Sequence, residues 1–304
     1  MTFTFKRAMR EQVSVLIGLA GPSGSGKTYT ALRLACGLAP NGKIAFIDTE
    51  ARRGLHYADK FEYHHTDMRP PFKPARFIEC IQDAENSGAE VIIIDSFSNE
   101  YDGEGGIIDW ADELEGRGVK SPGNWKEPKL AHKKMMNAFL QCRASLIFCL
   151  RADEKIKIVR QENGKTAVVP LGWTPICEKR FMYEMTTSFT LTDDNAGKPN
   201  FNLPHKLQEQ HRHMFPADEF IGENAGRALK EWASGGIGTM PTDEPDSETL
   251  ITADSALAEA AEKGSEALKT AWTKLPAKVK AALKTALDTR HKAAAALADQ
   301  RLAA

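Results

Sequence analysis

The chain has 304 residues, 42% of them hydrophobic and 27% charged, with a formal net charge of −1. That length accommodates one large α/β domain with an appendage, and the charge balance excludes a globally basic nucleic-acid binder, so any such binding has to come from a local patch. The cysteines Cys36, Cys80, Cys142, Cys149 and Cys177 show no C-x-x-C pairing and lie mostly in apolar runs, which fits buried thiols in a reducing cytosol. The segment Met1-Thr-Phe-Thr-Phe-Lys-Arg7 lacks the apolar core of a signal peptide. No apolar run approaches the ~18–20 residues of a membrane span, and the expected location is cytoplasmic.

In chain order, the first predicted element is a strand, Val13–Leu19. The run Gly21-Pro-Ser23-Gly24-Ser25-Gly26-Lys27-Thr28 follows, fitting G-x-x-x-x-G-K-[ST], and a helix-like stretch continues from Thr28 to Leu38. Strand, glycine loop and helix are the context this motif requires. Gly21, Gly24 and Gly26 permit backbone angles that turn successive N–H groups inward around phosphate oxygens. The helix start adds its positive dipole end. Lys27 reaches the β/γ-phosphates, the Thr28 hydroxyl ligates Mg²⁺, and Tyr29 joins the nucleotide-binding set. The run marks a nucleoside-triphosphate site.

Further apolar β-rich runs are Lys43–Asp48, Val91–Asp95 and Ser145–Leu150, continuous enough for strands covered on both faces, as in a parallel sheet. Helices are expected from Pro74, with Phe77, Ile78, Ile81 and Ala84 on one face, and through Ala131, Met135, Ala138, Phe139 and Cys142. Lys155–Arg160 and Lys165–Val169 flank Asn163-Gly164, a hairpin signal. Phe181–Leu191 reads as a strand and Ala225–Ala233 as a short helix stopped at Gly235-Gly236. The predicted organisation is a P-loop α/β domain over 1–235, a Gly/Thr/Pro/Asp-rich linker over 236–250, and a helical appendage over 251–304. The appendage carries apolar positions Ala256, Leu257, Ala260, then Leu268, Trp272, Leu275, then Val279, Leu283, Leu287.

Val91-Ile-Ile-Ile-Asp95-Ser96 has the form of a Walker B strand, with Asp95 holding Mg²⁺ through its water shell. Many hydrolytic ATPases place Glu directly after that aspartate, but here the residue is Ser96. Glu50, in Lys43-Ile-Ala-Phe-Ile-Asp48-Thr-Glu50, is the candidate to polarise water, just past a strand expected beside the P-loop strand. Glu100 is a second candidate, and Asp48 serves either Mg²⁺ or a turn.

This arrangement resembles the RecA-type recombinase family, and among its members phage-encoded RecA-like ATPases of single-strand annealing and recombination. The matching elements are the Gly21–Thr28 loop, Phe46-Ile-Asp-Thr-Glu50, Ile93-Ile-Asp-Ser96 and Leu146-Ile-Phe148, and the resemblance covers roughly residues 11–190. It implies a RecA-like fold with a mostly parallel central sheet flanked by helices, extended by the β-hairpin. It implies that Glu50 activates water and that Tyr57, seven residues later, stacks on adenine. At the position of the family's phosphate-sensing glutamine stands Arg151, which can contact phosphate through its guanidinium. The family's N-terminal filament-assembly segment has no counterpart, which favours binding or annealing over strand exchange. RecA-like assemblies also insert basic residues into a neighbour's ATP site, a role open to Lys179 or Arg180, for which a surface ion pair is the alternative.

RecA-like folds carry DNA loops after the strands that end at Asp95 and Leu150. The first such segment here is acidic from Glu100 to Glu115, then basic at Arg117, Lys120, Lys126, Lys129, Lys133 and Lys134, with Trp125 among them. Lysines that track phosphates beside an exposed indole make a single-strand binding surface; the alternative is a solvated helix face with Trp125 in the core. The second segment is the hairpin with Lys155, Lys157, Arg160 and Lys165, read as a DNA finger or an ordinary edge hairpin. His64, His65, His211 and His213 lack metal-ligand spacing and read as surface or packing residues. Without Asn-Lys-x-Asp for guanine, ATP is preferred. The expected protein is a phage-related, Mg²⁺-dependent ATPase that binds single-stranded DNA as a homo-oligomer. A recombination or single-strand-binding protein would dock through the C-terminal region. An ATP-switched loader and a P-loop small-molecule kinase are the rival readings.

Overall fold

A strand that offers apolar side chains to both faces is stable only between two helical layers, and the core strands of this protein are placed that way. A computed structural model describes residues 13–160, 166–235 and 247–302. Strands β1 (Leu16–Gly21), β2 (Lys43–Asp48), β3 (His64–Asp67), β4 (Ala89–Asp95), β5 (Ser145–Arg160), β6 (Thr166–Pro175) and β7 (Thr187–Thr190) form one seven-stranded sheet. Its order is β3-β2-β4-β5-β1-β7, all parallel, with β6 antiparallel to β5. The fold is a mostly parallel α/β sheet of the P-loop NTPase type, followed by C-terminal helices.

Side chains alternate along each strand. Ile17, Leu19, Phe46, Ile93, Ile147 and Phe189 face α1 (Lys27–Leu38) and a C-terminal helix of this unit, Glu223–Ala233. Leu16, Ile47, Ile92, Ile94, Leu146 and Phe148 face the opposite layer, built from α2 (Pro74–Asn86) and a helix at Lys126–Gln141. Between them in sequence lie α3 (Ser98–Asp102) and α4 (Ile107–Gly116); the two later helices are therefore α5 and α6. On the second face Phe97 is the centre of an aromatic cluster, stacked on Phe181 at 4.5 Å and edge-on to Phe148 at 5.1 Å.

Several expectations are corrected by this topology. β2 does not lie beside the P-loop strand, because β4 and β5 come between them. Residues 145–160 form one strand, since pairing with β6 begins at Ala152 where parallel pairing to β1 ends at Arg151. Phe181–Leu191 is a 3₁₀ turn at Phe181–Glu184 and only then a short strand. The acidic stretch is helical in α3 and α4, and the helix expected from Ala225 starts at Glu223, which pairs with Arg33 at 2.6 Å. All five cysteines are free. The N-terminal segment 1–12, the Asn163-Gly164 turn with Lys165, and residues 236–246 of the expected linker lie outside the described residues, as do the side chains of Lys157 and Arg160.

The chain divides into two compact units, Met1–Gly238 and Thr239–Ala304. The second contains α7 (Ser247–Ala261), α8 (Ser265–Lys274), α9 (Ala277–Ala286) and α10 (Lys292–Leu302), the last two joined by a π-helical turn at Leu287–His291. Its core is Leu257, Ala261, Leu268, Leu287 and Ala295. On α7 the buried positions are Ala253, Leu257 and Ala261, while Ala256 is exposed. His291 is buried against Asp254 at 2.7 Å.

Helices α1 and α6 meet with backbone nearly touching backbone, which glycine alone permits. A Cβ on Gly37 would lie 2.2 Å from the Glu223 carbonyl oxygen, and one on Gly226 would lie 2.4 Å from that of Leu34. Gly37→Ala should therefore destabilise the N-terminal unit by roughly 1–3 kcal/mol, the scale of overpacking. Gly116→Ala, where an added Cβ meets nothing within 4 Å, should stay within about 0.5 kcal/mol of the parent. Urea denaturation of the two variants checks this, and equal midpoints would contradict the close helix contact.

Candidate active site

In parallel α/β sheets, ligand sites form beyond the carboxyl ends of the strands. The register here pairs Asp48 with Asp95, Asp95 with Cys149 and Gly21 with Arg151. The ends of β2, β4 and β1, and the point on β5 where its parallel pairing stops, are thereby brought to one rim. A cleft of about 540 Å³ opens there, and its walls include the Gly21–Thr28 loop, Glu50, Tyr57, Asp95 and Arg151.

The loop is built as a cradle. Gly24 and Gly26 have φ of 85° and 82°, left-handed angles open mainly to glycine. Ser25 is buried, and its hydroxyl donates to the Pro22 carbonyl at 2.8 Å. The same carbonyl accepts the Lys27 ammonium at 2.7 Å. A segment that sequence reasoning missed braces the loop from outside: Gly197 N–H donates to the Ser25 carbonyl at 3.1 Å and Leu191 N–H to that of Ala20 at 2.7 Å. No motif marks that segment, because it works through backbone groups.

Asp95 is almost wholly buried, and its Oδ2 accepts the Thr28 hydroxyl at 2.5 Å. Its carboxyl is pushed up to about 6, by burial first of all; Glu50 and Asp48 add to the rise, and the Thr28 bond and Lys27 oppose it. A buried carboxylate touching a hydroxyl, with phosphate-directed N–H groups alongside, is an oxygen donor set suited to Mg²⁺ and a triphosphate. Bound there, Mg²⁺ would supply charge neutralisation for phosphate oxygens.

Asp48 has a different task. Its Oδ1 accepts the Glu50 N–H at 2.7 Å; its Oδ2 accepts the Gly54 N–H at 2.7 Å and faces His65 Nε2 at 3.0 Å. Both oxygens of the carboxylate are thus engaged in organising the turn that presents Glu50, which favours the turn over the metal as its role. Ala51 and Arg52 within that turn hold φ of 54° and 69°, an uncommon pair for residues with a Cβ. A 3₁₀ turn at Arg53–Tyr57 then brings Tyr57 to the cleft wall, 5.9 Å from the ring of Tyr29.

Glu100 is not at the cleft. It is fully buried, with His132 Nδ1 at 2.9 Å, so the expectation that it competes with Glu50 is corrected. Burial raises its carboxyl above the usual range. For His132, burial pulls the imidazole down, but the bond and charge of Glu100 outweigh this and hold it above its ordinary value. Sequence spacing alone could not show that the Glu100 side chain turns inward, toward the core.

Arg151 is at the cleft but tethered. Its guanidinium bonds Asn99 at 3.1 Å and pairs with Asp102 at 2.5 Å. Of the other expected residues, Lys126, Lys129, Lys133 and Lys155 are exposed, as are Lys179 and Arg180, and none of these lines the cleft. Trp125 is half-buried beneath Lys129, whose ammonium lies 5.6 Å from the ring centre. His211 is buried against Trp232.

The raised Asp95 has a signed consequence. Its folded value, about 6, exceeds the ordinary carboxylate value, so in the metal-free protein it favours folding below about pH 4 and loses that contribution as pH rises through about 6. Mg²⁺ needs the ionised form. The gain in nucleotide affinity on adding Mg²⁺ should therefore be smaller at about pH 5 than at about pH 7.5, and Asp95→Asn should show little gain at either. Anisotropy of a fluorescent nucleotide reads this out; equal gains in all cases would remove Asp95 from the metal site.

No helix among the described residues is long and apolar enough to cross a membrane. Among curated proteins none matches this chain. Residues 14–195, more than half of the 304, match the family model described as an AAA domain. That span runs from β1 with its phosphate loop, past Glu50, Asp95 and Arg151, to the segment that braces the loop, and the chain belongs to the AAA-domain family of P-loop NTPases.

Proposed function

We propose that this protein is an Mg²⁺-dependent ATPase that binds single-stranded DNA and acts in recombination or strand annealing. The observation that supports ATP hydrolysis best is the convergence of Lys27, Thr28, Asp95, Glu50 and Arg151, carried on or just after four different strands, on one cleft. On this reading the loop N–H groups and Lys27 bind the phosphates, and Thr28 with Asp95 holds the metal. Glu50 orients water and accepts its proton, Arg151 meets the γ-phosphate, and Tyr57 with Tyr29 contacts the base. Glu50 suits its role because its side chain is partly exposed, with Arg53 as its nearest cation at 4.0 Å.

The DNA reading rests on α5. Lys126, Lys129, Lys133 and Lys134 are all exposed, and positions spaced by three and four share a helix face. Lys155 adds an exposed cation at the root of the β5–β6 hairpin. Exposed Lys179 and Arg180 fit a finger offered to a neighbouring subunit's ATP site in a homo-oligomer. The proposed setting is a phage-related protein in the cytoplasm. The separate helical unit Thr239–Ala304 favours a second reading in which ATP switches assembly and that unit docks a recombination or single-strand-binding protein.

Glu50→Gln keeps the shape and removes the base, so nucleotide should still bind while hydrolysis falls by roughly 10²-fold or more. Phosphate release alongside nucleotide anisotropy tests this, and normal turnover would displace Glu50 from the role.

Replacing Lys126, Lys129 and Lys133 together by Ala should weaken single-strand binding and flatten its salt dependence by up to about 0.7 for each phosphate that is no longer neutralised. Trp125→Ala should cost about 1–3 kcal/mol of affinity if the indole stacks on a base. Anisotropy of a labelled oligonucleotide with a non-hydrolysable ATP analogue measures both. Absence of wild-type binding at low salt would leave the assembly-switch reading in place of the DNA reading.

A further inference from the structure

Glu50 and Arg151 come from strands separated by β4, yet one side chain bonds to the supports of both. Asn99, on the short helix α3 that follows β4, donates through Nδ2 to the Thr49 carbonyl at 3.1 Å and to Thr49 Oγ1 at 2.8 Å. Its Oδ1 accepts Arg151 Nη2 at 3.1 Å. Thr49 directly precedes Glu50, and it is locked to β4 by its N–H to the Asp95 carbonyl at 2.8 Å and by a reciprocal pair with Ser96 at 2.8 and 2.9 Å. The Thr49 hydroxyl thereby uses its one hydrogen and both lone pairs. On the other side, Ser98 Oγ accepts the Arg151 N–H at 2.9 Å.

The chemistry explains why an amide stands at this position. The Thr49 carbonyl is only an acceptor and the guanidinium is only a donor, so the bridging group needs a donor end and an acceptor end. Turning the amide over would set acceptor against acceptor and donor against donor, so its orientation follows from its partners. A carboxylate would lose the Thr49 side, and an alkyl group would lose both. Asn99 does not line the cleft and acts on no substrate atom.

We propose that Asn99 is a positioning residue that keeps the Glu50 turn and the Arg151 guanidinium in one fixed relation across the cleft, so that both address the same terminal phosphate. This rests on the ATPase reading above. The helix that carries Asn99 is anchored by the buried Glu100–His132 pair and by Asp102, which shares the Arg151 guanidinium. A shift of α3 therefore moves both supports together.

The test uses the full chain and the variants Asn99→Ala, Asn99→Asp, Arg151→Ala, Glu50→Gln and the double variant Asn99→Ala/Arg151→Ala. Asn99→Ala should lower kcat roughly 10- to 10²-fold, the scale of a misplacement of about 1 Å, with ATP affinity by anisotropy unchanged. Asn99→Asp, which keeps the Arg151 acceptor and loses the donors to Thr49, should also lose turnover. Because Asn99 acts partly through Arg151, the double variant should fall by less than the product of the two single effects. Wild-type kcat in Asn99→Ala, multiplying effects in the double variant, or a loss matched by the unfolded fraction in thermal melts would overturn the proposal. The controls separate the two levels: no hydrolysis by the wild-type chain would sink the ATPase reading, normal hydrolysis in both Glu50→Gln and Arg151→Ala would remove those residues and Asn99 with them from the mechanism, and impaired controls beside a normal Asn99→Ala would sink only the role of Asn99.

Discussion

Parallel pairing among β2, β4, β5 and β1 decides which atoms can meet in this protein. β2 and β4 end in Asp48 and Asp95, β1 ends at Gly21 where the phosphate loop begins, and the register aligns all three with Arg151 of β5 at a single rim. A slip of one residue in β2 or β4 would turn Asp48 or Asp95 to the opposite face of the sheet. The cost of this arrangement is concentrated at Asp95, a carboxylate buried among apolar strands whose proton affinity is raised by that burial. Thr28 is its closest hydroxyl partner, so the phosphate loop and the central strand are joined at the atom where a cation would relieve the strain of desolvation.

The loops beyond the strands divide the remaining work between backbone and side chain. Asp48 commits its oxygens to the N–H groups of Glu50 and Gly54 and to the imidazole of His65. The turn is thereby held with Ala51 and Arg52 in left-handed conformations, and Glu50 remains free to face the cleft. The segment after β7 supports the phosphate loop through carbonyl and N–H groups, and Asn99 ties the Glu50 turn to Arg151. On the proposed reading, binding is supplied by the loop and chemistry by two residues whose separation is fixed by a third.

Much of this was legible in the sequence where the signal is local. The phosphate loop needs glycines at fixed spacing next to a strand and a helix, and all of those lie within a short stretch. Asp95 follows an uninterrupted apolar run, and Glu50 and Arg151 stand at the ends of similar runs. What periodicity cannot report is lateral order: continuous apolar runs look alike, so the separation of β2 from the loop strand by two other strands was not readable. Nor does spacing tell which way a carboxylate points, and Glu100 turns inward to His132 while Glu50 faces the cleft. β3 escaped notice because an edge strand of His64-His-Thr-Asp67 has neither apolar alternation nor β-branched enrichment, its place being set by pairing with β2. Asn99 was invisible for the same reason: its partners, Thr49 and Arg151, are distant in sequence and meet only through the sheet.

The central claim is that the rim formed by these strand ends is a metal-dependent ATP site. Phosphate release from ATP by the purified full chain, measured with Mg²⁺ and again with the metal chelated, tests it most directly. Turnover that requires Mg²⁺ is expected. No release in either condition, or release that persists unchanged without the metal, would contradict it.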